Sequence, residues 1–141
     1  MSETVRGTSV AIGGRGVLLR GSSGSGKSDL ALRLIDRGAC LVSDDYTCVR
    51  VERGRLLAAA PATIAGRIEM RGVGIVERPA AGDVPLCLVL DLDAVPDRLP
   101  EQAGESRILD VPLPALALAP LEPSAPLKVE AALLRFGLPL A

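Results

Sequence analysis

Eight consecutive residues, Gly21-Ser22-Ser23-Gly24-Ser25-Gly26-Lys27-Ser28, have the types and spacing of a phosphate-binding loop, G-x-x-x-x-G-K-[ST]. Such a loop turns backbone N–H groups inward around an anion, and its glycines permit an approach that a Cβ would block. Lys27 is spaced to reach the β/γ-phosphates, and the Ser28 hydroxyl to enter a Mg²⁺ shell. The flanks agree: residues 16–20 read as a short buried strand and residues 28–37 as a helix, the context this loop requires. The chemistry implied is the binding of a nucleotide or another polyphosphate.

A phosphate loop needs an acidic partner, and two segments compete to supply it. One is Cys40-Leu41-Val42-Ser43-Asp44-Asp45; the other is Leu88-Val89-Leu90-Asp91-Leu92-Asp93. Each is an apolar strand ending in carboxylates that could see Mg²⁺. Local pattern does not choose between them, but the first follows the loop's helix directly, so a short return brings it back beside the loop. Asp44 and Asp45 are adjacent and point to opposite faces, which gives them different jobs. A third cluster, Arg67-Ile68-Glu69-Met70-Arg71-Gly72-Val73-Gly74-Ile75, combines a carboxylate, arginines and glycines. Glu69 could complete a metal shell and Arg71 could neutralise a phosphoryl group. By pattern alone it is equally a strand and a turn with surface charges.

Composition narrows the classes. The chain has 141 residues, 48% of them apolar, but only Tyr46 and Phe136 are aromatic, so aliphatic side chains must build a single core. Its formal charge of −1 makes no electrostatic case for nucleic acid or an anionic membrane. No apolar run reaches the roughly 18 residues of a membrane span. The N-terminus has no basic region followed by an apolar one, and a cytoplasmic protein is the simplest expectation. Cys40, Cys48 and Cys87 form no metal or redox motif and are expected to be reduced core residues. With no histidine in the chain, proton transfer falls to a carboxylate, lysine, tyrosine, thiol or water. With no asparagine, the N-K-x-D signature of guanine recognition is missing.

The elements that must position these residues are short. Residues 5–12 and 17–19 read as two strands around a turn at 13–16. Lys27 opens a helix whose stripe is Leu30, Ala31, Leu34 and Ile35, with an Asp29–Arg33 pair and Gly38 as terminator. Residues 48–51 and 56–60 suit a hairpin, 86–92 a buried strand and 127–136 a closing helix. Strand, loop, helix and strand at the start, then hairpins, predict one α/β domain with a mixed sheet over residues 1–141.

Together, the phosphate loop, Leu41-Val-Ser-Asp-Asp45 and Ile68-Glu-Met-Arg-Gly-Val-Gly-Ile75 resemble the catalytic domain of HPr kinase/phosphorylase, which acts on a serine of the phosphocarrier HPr. The I-E-x-R-G-x-G-I run is the most specific element, and the resemblance fades after residues 111–114. It implies a P-loop kinase fold of the phosphoenolpyruvate-carboxykinase kind, ATP and Mg²⁺ as cofactors, HPr as partner, a homo-oligomer and a role in the phosphotransferase system. It also implies roles. Lys27 holds the phosphates, Ser28 and Glu69 ligate Mg²⁺, Asp44 is the base and Asp45 supports it. Arg71 belongs to the signature segment, and Arg98 matches the family's catalytic arginine weakly. Asp91 has no counterpart there.

Three departures accompany the resemblance. Arg6-Gly7 stands where the family has histidine before the first core strand, and a fixed cation cannot shuttle protons at pH 7. The chain matches the form with only the catalytic domain, without an N-terminal regulatory domain. Residues 121–126 lack the glycine- and arginine-rich loop linked to dephosphorylation, and the C-terminal helix that grips HPr is not seen. Two alternatives to an HPr kinase follow: a non-catalytic nucleotide or phosphate sensor, or a small-molecule P-loop kinase. The second would need a lid with several arginines, where residues 79–105 hold only Arg98.

Overall fold

A computed structural model describes residues 1–140. In chain order the strands and helices are β1 (Ser2–Arg6), β2 (Thr8–Ile12), β3 (Arg15–Arg20), α1 (Lys27–Asp36), β4 (Cys40–Ser43), β5 (Tyr46–Glu52) and β6 (Arg55–Ala59). They are followed by β7 (Arg67–Met70), β8 (Gly74–Glu77), β9 (Val84–Asp91), β10 (Gly104–Ile108), β11 (Val111–Ala117) and α2 (Ala125–Phe136). One mixed sheet runs β1-β5-β6-β9-β3-β2-β4, with β11 added to β9 and β10 to β11; β7 and β8 form a separate hairpin.

The sheet is apolar on both faces because alternate residues of its central strands enter two cores. Val17 and Leu19 join Leu88 and Leu90 beneath Leu30 and Leu34 of α1 and Val129 and Leu133 of α2. Leu18 instead meets Val42, Val49, Leu56, Leu86, Val89 and Leu113 on the opposite side. The β3–β9 register slips at Gly16/Val17, from Gly16–Leu86 to Val17–Leu88. That slip lets Leu86 and Val89, three apart, share one face. Each such fully buried leucine contributes about 2 kcal/mol of transfer free energy.

Local sequence explains α1. Gly26 precedes it in a left-handed conformation (φ 103°), and Asp29 pairs with Arg33 one turn on at 3.1 Å. Gly38, at φ 108°, donates its N–H to Ile35 O, the turn that glycine tolerates past a helix end. Arg53 and Gly54, both at positive φ, form the two-residue turn between β5 and β6.

Direction matters most for function. β3, β9 and β11 are parallel, while β4 is antiparallel to β2, which is antiparallel to β3. The four strands β3, β4, β9 and β11 therefore end at the same edge of the sheet. Ligands of open α/β sheets bind at such carboxyl edges.

Several sequence expectations need correction. The strand expected over 5–12 is two strands, broken at Gly7. A Cβ there would stand 2.8 Å from Leu18 Cδ1 and 3.0 Å from Leu19 O, and Gly7 N–H donates to Asp45 O. β1 pairs with β5, whereas β2 pairs with β3 and β4. The β10–β11 hairpin was not anticipated, because Pro112 and Pro114 argue against a strand. They take alternate positions, so the N–H groups they lack lie along one edge. Of the cysteines only Cys87 is buried; Cys40 is exposed and Cys48 intermediate, all three as free thiols.

Candidate active site

The phosphate loop spans the turn from β3 into α1. Gly24 (φ 82°) and Gly26 (φ 103°) take left-handed conformations that favour glycine. Gly21 is required by crowding, since a Cβ would lie 2.6 Å from Ser25 Oγ. Lys27 is buried and turns its ammonium back onto the loop, donating to Gly21 O at 2.8 Å and Ser22 O at 2.9 Å. The Ser25 hydroxyl is buried and has no hydrogen-bond partner among the described residues. A loop with left-handed glycines at 24 and 26 beside a buried lysine fits an oxyanion such as phosphate.

Both competing acidic segments reach the loop, at opposite ends. Asp44, 7% exposed, accepts the Ser28 hydroxyl on Oδ1 at 2.6 Å and the Thr8 hydroxyl on the same oxygen at 3.1 Å. Its Oδ2 accepts the Glu69 backbone N–H at 3.0 Å. Asp93 accepts the Ser22 N–H at 2.7 Å and the Ser22 hydroxyl at 3.0 Å. Asp91 shapes the turn that delivers Asp93, accepting the backbone N–H of Asp93 and of Ala94 on Oδ1.

Adjacent to Asp44, Asp45 sits at φ 65° and donates its N–H to Thr8 Oγ1 at 3.0 Å. Its carboxylate lies 3.8 Å from Arg6 Nε, with both side chains about half exposed. β7 places Ile68 in the core beneath α1 while Glu69 stays exposed. Arg71, just beyond β7, brings its guanidinium within 3.8 Å of where a Cβ on Gly24 would stand.

A cleft of about 490 Å³ opens between these groups. Of the sequence-derived candidates, Ser23, Gly24, Gly26, Lys27, Ser28, Asp44, Asp45, Glu69 and Arg71 line it, together with Arg6. Gly21, Ser22 and Ser25 complete the loop behind this wall. Arg98 is exposed between β9 and β10 and is not part of the lining. No cluster of three or more carboxylate, cysteine or histidine ligands occurs among the described residues. Mg²⁺ suits such a wall, because it commonly takes one or two carboxylates plus phosphate oxygens and water.

Thr8 was missed by sequence reasoning, and Asp93 was expected only as a carboxylate facing a metal. Thr8 and Asp93 contact, respectively, the buried carboxylate and the outer end of the loop. The only sequence signal for Thr8 is a hydroxyl at the head of an otherwise buried strand. Asp93 was visible only as one member of the competing acidic strand.

Residues 1–81 match the family model described as HPr Serine kinase C-terminal domain. The chain belongs to this family. It is 38% identical over 152 aligned residues to HPr kinase/phosphorylase from Geobacillus thermodenitrificans (strain NG80-2), which covers 97% of this chain and 49% of that protein. The similarity thus runs past residues 111–114, where the motifs fade. The enzyme of that name from Clostridium tetani is 38% identical over 91 residues, covering 64% of this chain and 29% of that one. The chain therefore spans about half, or less, of the curated relatives it matches. Among solved structures, the Hpr(Ser) kinase/phosphatase from Coxiella burnetii superposes with a TM-score of 0.80 at 28% identity, covering 92% of this chain and 87% of that one. The mixed sheet with its phosphate loop is the fold of this kinase family. No helix among the described residues is long and apolar enough to cross a membrane.

Proposed function

We propose that this protein transfers the γ-phosphoryl group of ATP to a serine hydroxyl of an HPr-type phosphocarrier, with phosphorolysis, the transfer of that phosphoryl group from the serine to inorganic phosphate to give pyrophosphate, as the opposing reaction. One observation carries this most directly. Asp44 is held at once by the phosphate-loop helix through Ser28 and by the signature hairpin through Glu69 N–H. A carboxylate fixed between those two segments faces the cleft where an acceptor hydroxyl would meet the phosphate.

The roles follow from position. Lys27 and the loop N–H groups hold the β/γ-phosphates. Ser28 keeps its proton on Asp44 while its lone pairs remain available to a cation, so one hydroxyl can serve both. Glu69 offers the carboxylate for that cation from the facing hairpin. Bound Mg²⁺-ATP supplies the phosphoryl group and neutralises part of its charge. Asp44 accepts the serine proton as the serine oxygen bonds to the γ-phosphorus and the bond to the bridging oxygen breaks, leaving ADP. Because that transition state is loose, orientation and charge neutralisation count for more than base strength. Arg71 stands over the loop where charge develops, and Asp45 supports Asp44. Arg98 would need to move towards the cleft to act.

On this reading the setting is the cytoplasm and the unit assembles as a homo-oligomer. Leu127 and Leu134, seven residues apart on one face of α2, are 52% and 81% exposed and suit such an interface. A second reading, a nucleotide or phosphate sensor, is favoured by Arg6, which places a permanent cation beside Asp45 where the family has histidine. The deciding assay incubates the protein with Mg²⁺, γ-labelled ATP and HPr from the same organism, with Ser→Ala HPr and Lys27→Ala enzyme as controls. Serine-dependent labelling that vanishes in Lys27→Ala establishes the kinase. Tight nucleotide binding without labelling turns the assignment to the sensor.

A further inference from the structure

Four buried hydroxyls, from Thr8, Ser9, Ser43 and Thr47, lie beneath the Asp44-Asp45 bend, in strands otherwise packed with aliphatic side chains. Three of them serve the backbone and one another: Thr47 donates to Gly7 O at 3.0 Å and lies 2.9 Å from Ser9 Oγ, while Ser43 donates to Tyr46 O. Thr8 alone reaches the carboxylate. Its oxygen accepts the Asp45 N–H at 3.0 Å, and its hydroxyl proton points to Asp44 Oδ1 at 3.1 Å. The direction is unambiguous, because the N–H and the carboxylate each have a single possible role.

We propose that Thr8 is a positioning residue which, with Ser28, commits Oδ1 of Asp44 to the protein and leaves Oδ2 as the oxygen presented to the acceptor hydroxyl. This rests on the reading of Asp44 as the base. A carboxylate oxygen has two good acceptor sites. Both sites of Oδ1 are occupied by hydroxyls, from Thr8 and Ser28. Among the described residues Oδ2 accepts one N–H, from Glu69, so one of its sites remains. In the forward reaction the serine O–H bond breaks towards that site, and the proton rests on Oδ2 as the new P–O bond forms. In phosphorolysis the same oxygen returns it.

Thr8 fixes the pair in a second way. By accepting the Asp45 N–H it joins two backbone hydrogen bonds, Tyr46 N–H to Asp44 O and Gly7 N–H to Asp45 O, in holding Asp45 at φ 65°, a conformation uncommon outside glycine. Valine is nearly isosteric with threonine but removes both bonds, and serine restores the hydroxyl without the methyl.

The test compares wild type, Thr8→Val and Thr8→Ser by steady-state kinetics with Mg²⁺-ATP and HPr, and by amide hydrogen exchange at Asp45. Expected is a fall in kcat of about tenfold or more for Thr8→Val, the loss of hydrogen bonds to a charged group. KM for ATP should stay within about twofold, since Thr8 touches no part of the phosphate loop. Asp45 amide protection should fall about tenfold in Thr8→Val, and Thr8→Ser should recover both signals. Wild-type kcat in Thr8→Val, or a serine variant as slow as valine, overturns the proposal. Should the wild type not phosphorylate HPr, the kinase reading fails separately. Asp45 protection then decides whether Thr8 holds the pair, and unchanged protection in Thr8→Val refutes it.

Discussion

The Ser28 hydroxyl donates to Oδ1 of Asp44 at 2.6 Å, joining the first turn of α1 to the end of β4. Between β3, which feeds the phosphate loop, and β4, which carries Asp44, the sheet inserts β2. The contact therefore depends on α1 crossing over β2, with Val10 buried beneath Leu30 and Leu34. Function at this site is a matter of how far the helix and strand can hold that crossing.

Asp44→Asn keeps the size of the side chain and removes its charge. Phosphoryl transfer to HPr should fall by at least about 100-fold, the usual contribution of a positioned base, while nucleotide affinity stays within a few fold. Initial rates with labelled ATP and a nucleotide titration check both halves. Turnover near wild type would remove Asp44 from the role of base.

Asp93 clamps the outer end of the loop through Ser22, so Asp93→Ala should weaken nucleotide binding about fivefold while the fold survives. Asp93→Asn retains an acceptor for the Ser22 N–H and should lie between the two. Calorimetric titration with ATP resolves them, and equal affinities in all three proteins would mean the clamp is idle.

Arg6 and Asp45 are half exposed and 3.8 Å apart, so their pairing should be worth less than about 0.5 kcal/mol of stability. Arg6→Ala is accordingly expected to unfold in urea at the wild-type midpoint. Arg6→His restores a group that titrates near neutrality and should raise phosphorolysis of phosphorylated HPr. An unchanged phosphorolysis rate would show that the position takes no part.

Gly7 marks the break between β1 and β2. Gly7→Ala would press a methyl group against Leu18 Cδ1 and the Leu19 carbonyl, and should cost about 2–3 kcal/mol. Urea unfolding measures it; a loss below about 0.5 kcal/mol would mean the strands slide apart freely there.

Arg37, at the end of α1, holds Glu130 of α2 with two hydrogen bonds, at 3.0 and 2.8 Å. The hydrogen bond to Arg37 lowers the Glu130 pKa from its ordinary value, against a smaller opposing effect of burial. A depressed carboxylate stabilises the fold above its unfolded pKa, near about 4.3, and the effect is lost as pH falls through the folded value. The urea midpoint of Glu130→Gln should therefore lie below wild type at pH 7 and converge with it as the pH falls and Glu130 takes up its proton. A gap that persists in acid, with that carboxyl protonated, would assign the difference to packing. Because the pair is partly exposed, added salt should narrow the gap at pH 7.

Much of this molecule is legible in short stretches of sequence, because the interactions responsible are local. The loop at 21–28 is recognisable from glycines and a lysine whose conformational and charge requirements are met within eight residues. α1, its apolar stripe, the Asp29–Arg33 pair and the Gly38 terminator obey helical spacing, and Arg53-Gly54 suffices to turn a hairpin. The acidic partner was legible only as two candidates. Strand pairing decided between them by using both: β9 lies directly beside β3 and brings Asp93 to Ser22, while β4 lies beyond β2 and brings Asp44 to Ser28. The break at Gly7 is a crowding effect from Leu18 and Leu19, which no window around residue 7 contains. Thr8 acquires its role only because the bend after β4 folds back over it, 36 residues away in sequence from Asp44. The β10–β11 hairpin forms despite two prolines because β9 offers an edge at Ala115–Ala117. Local chemistry thus determined which residues could bind phosphate, and the tertiary structure decided which carboxylate meets them, since that choice is made by hydrogen bonds between strands far apart in the chain.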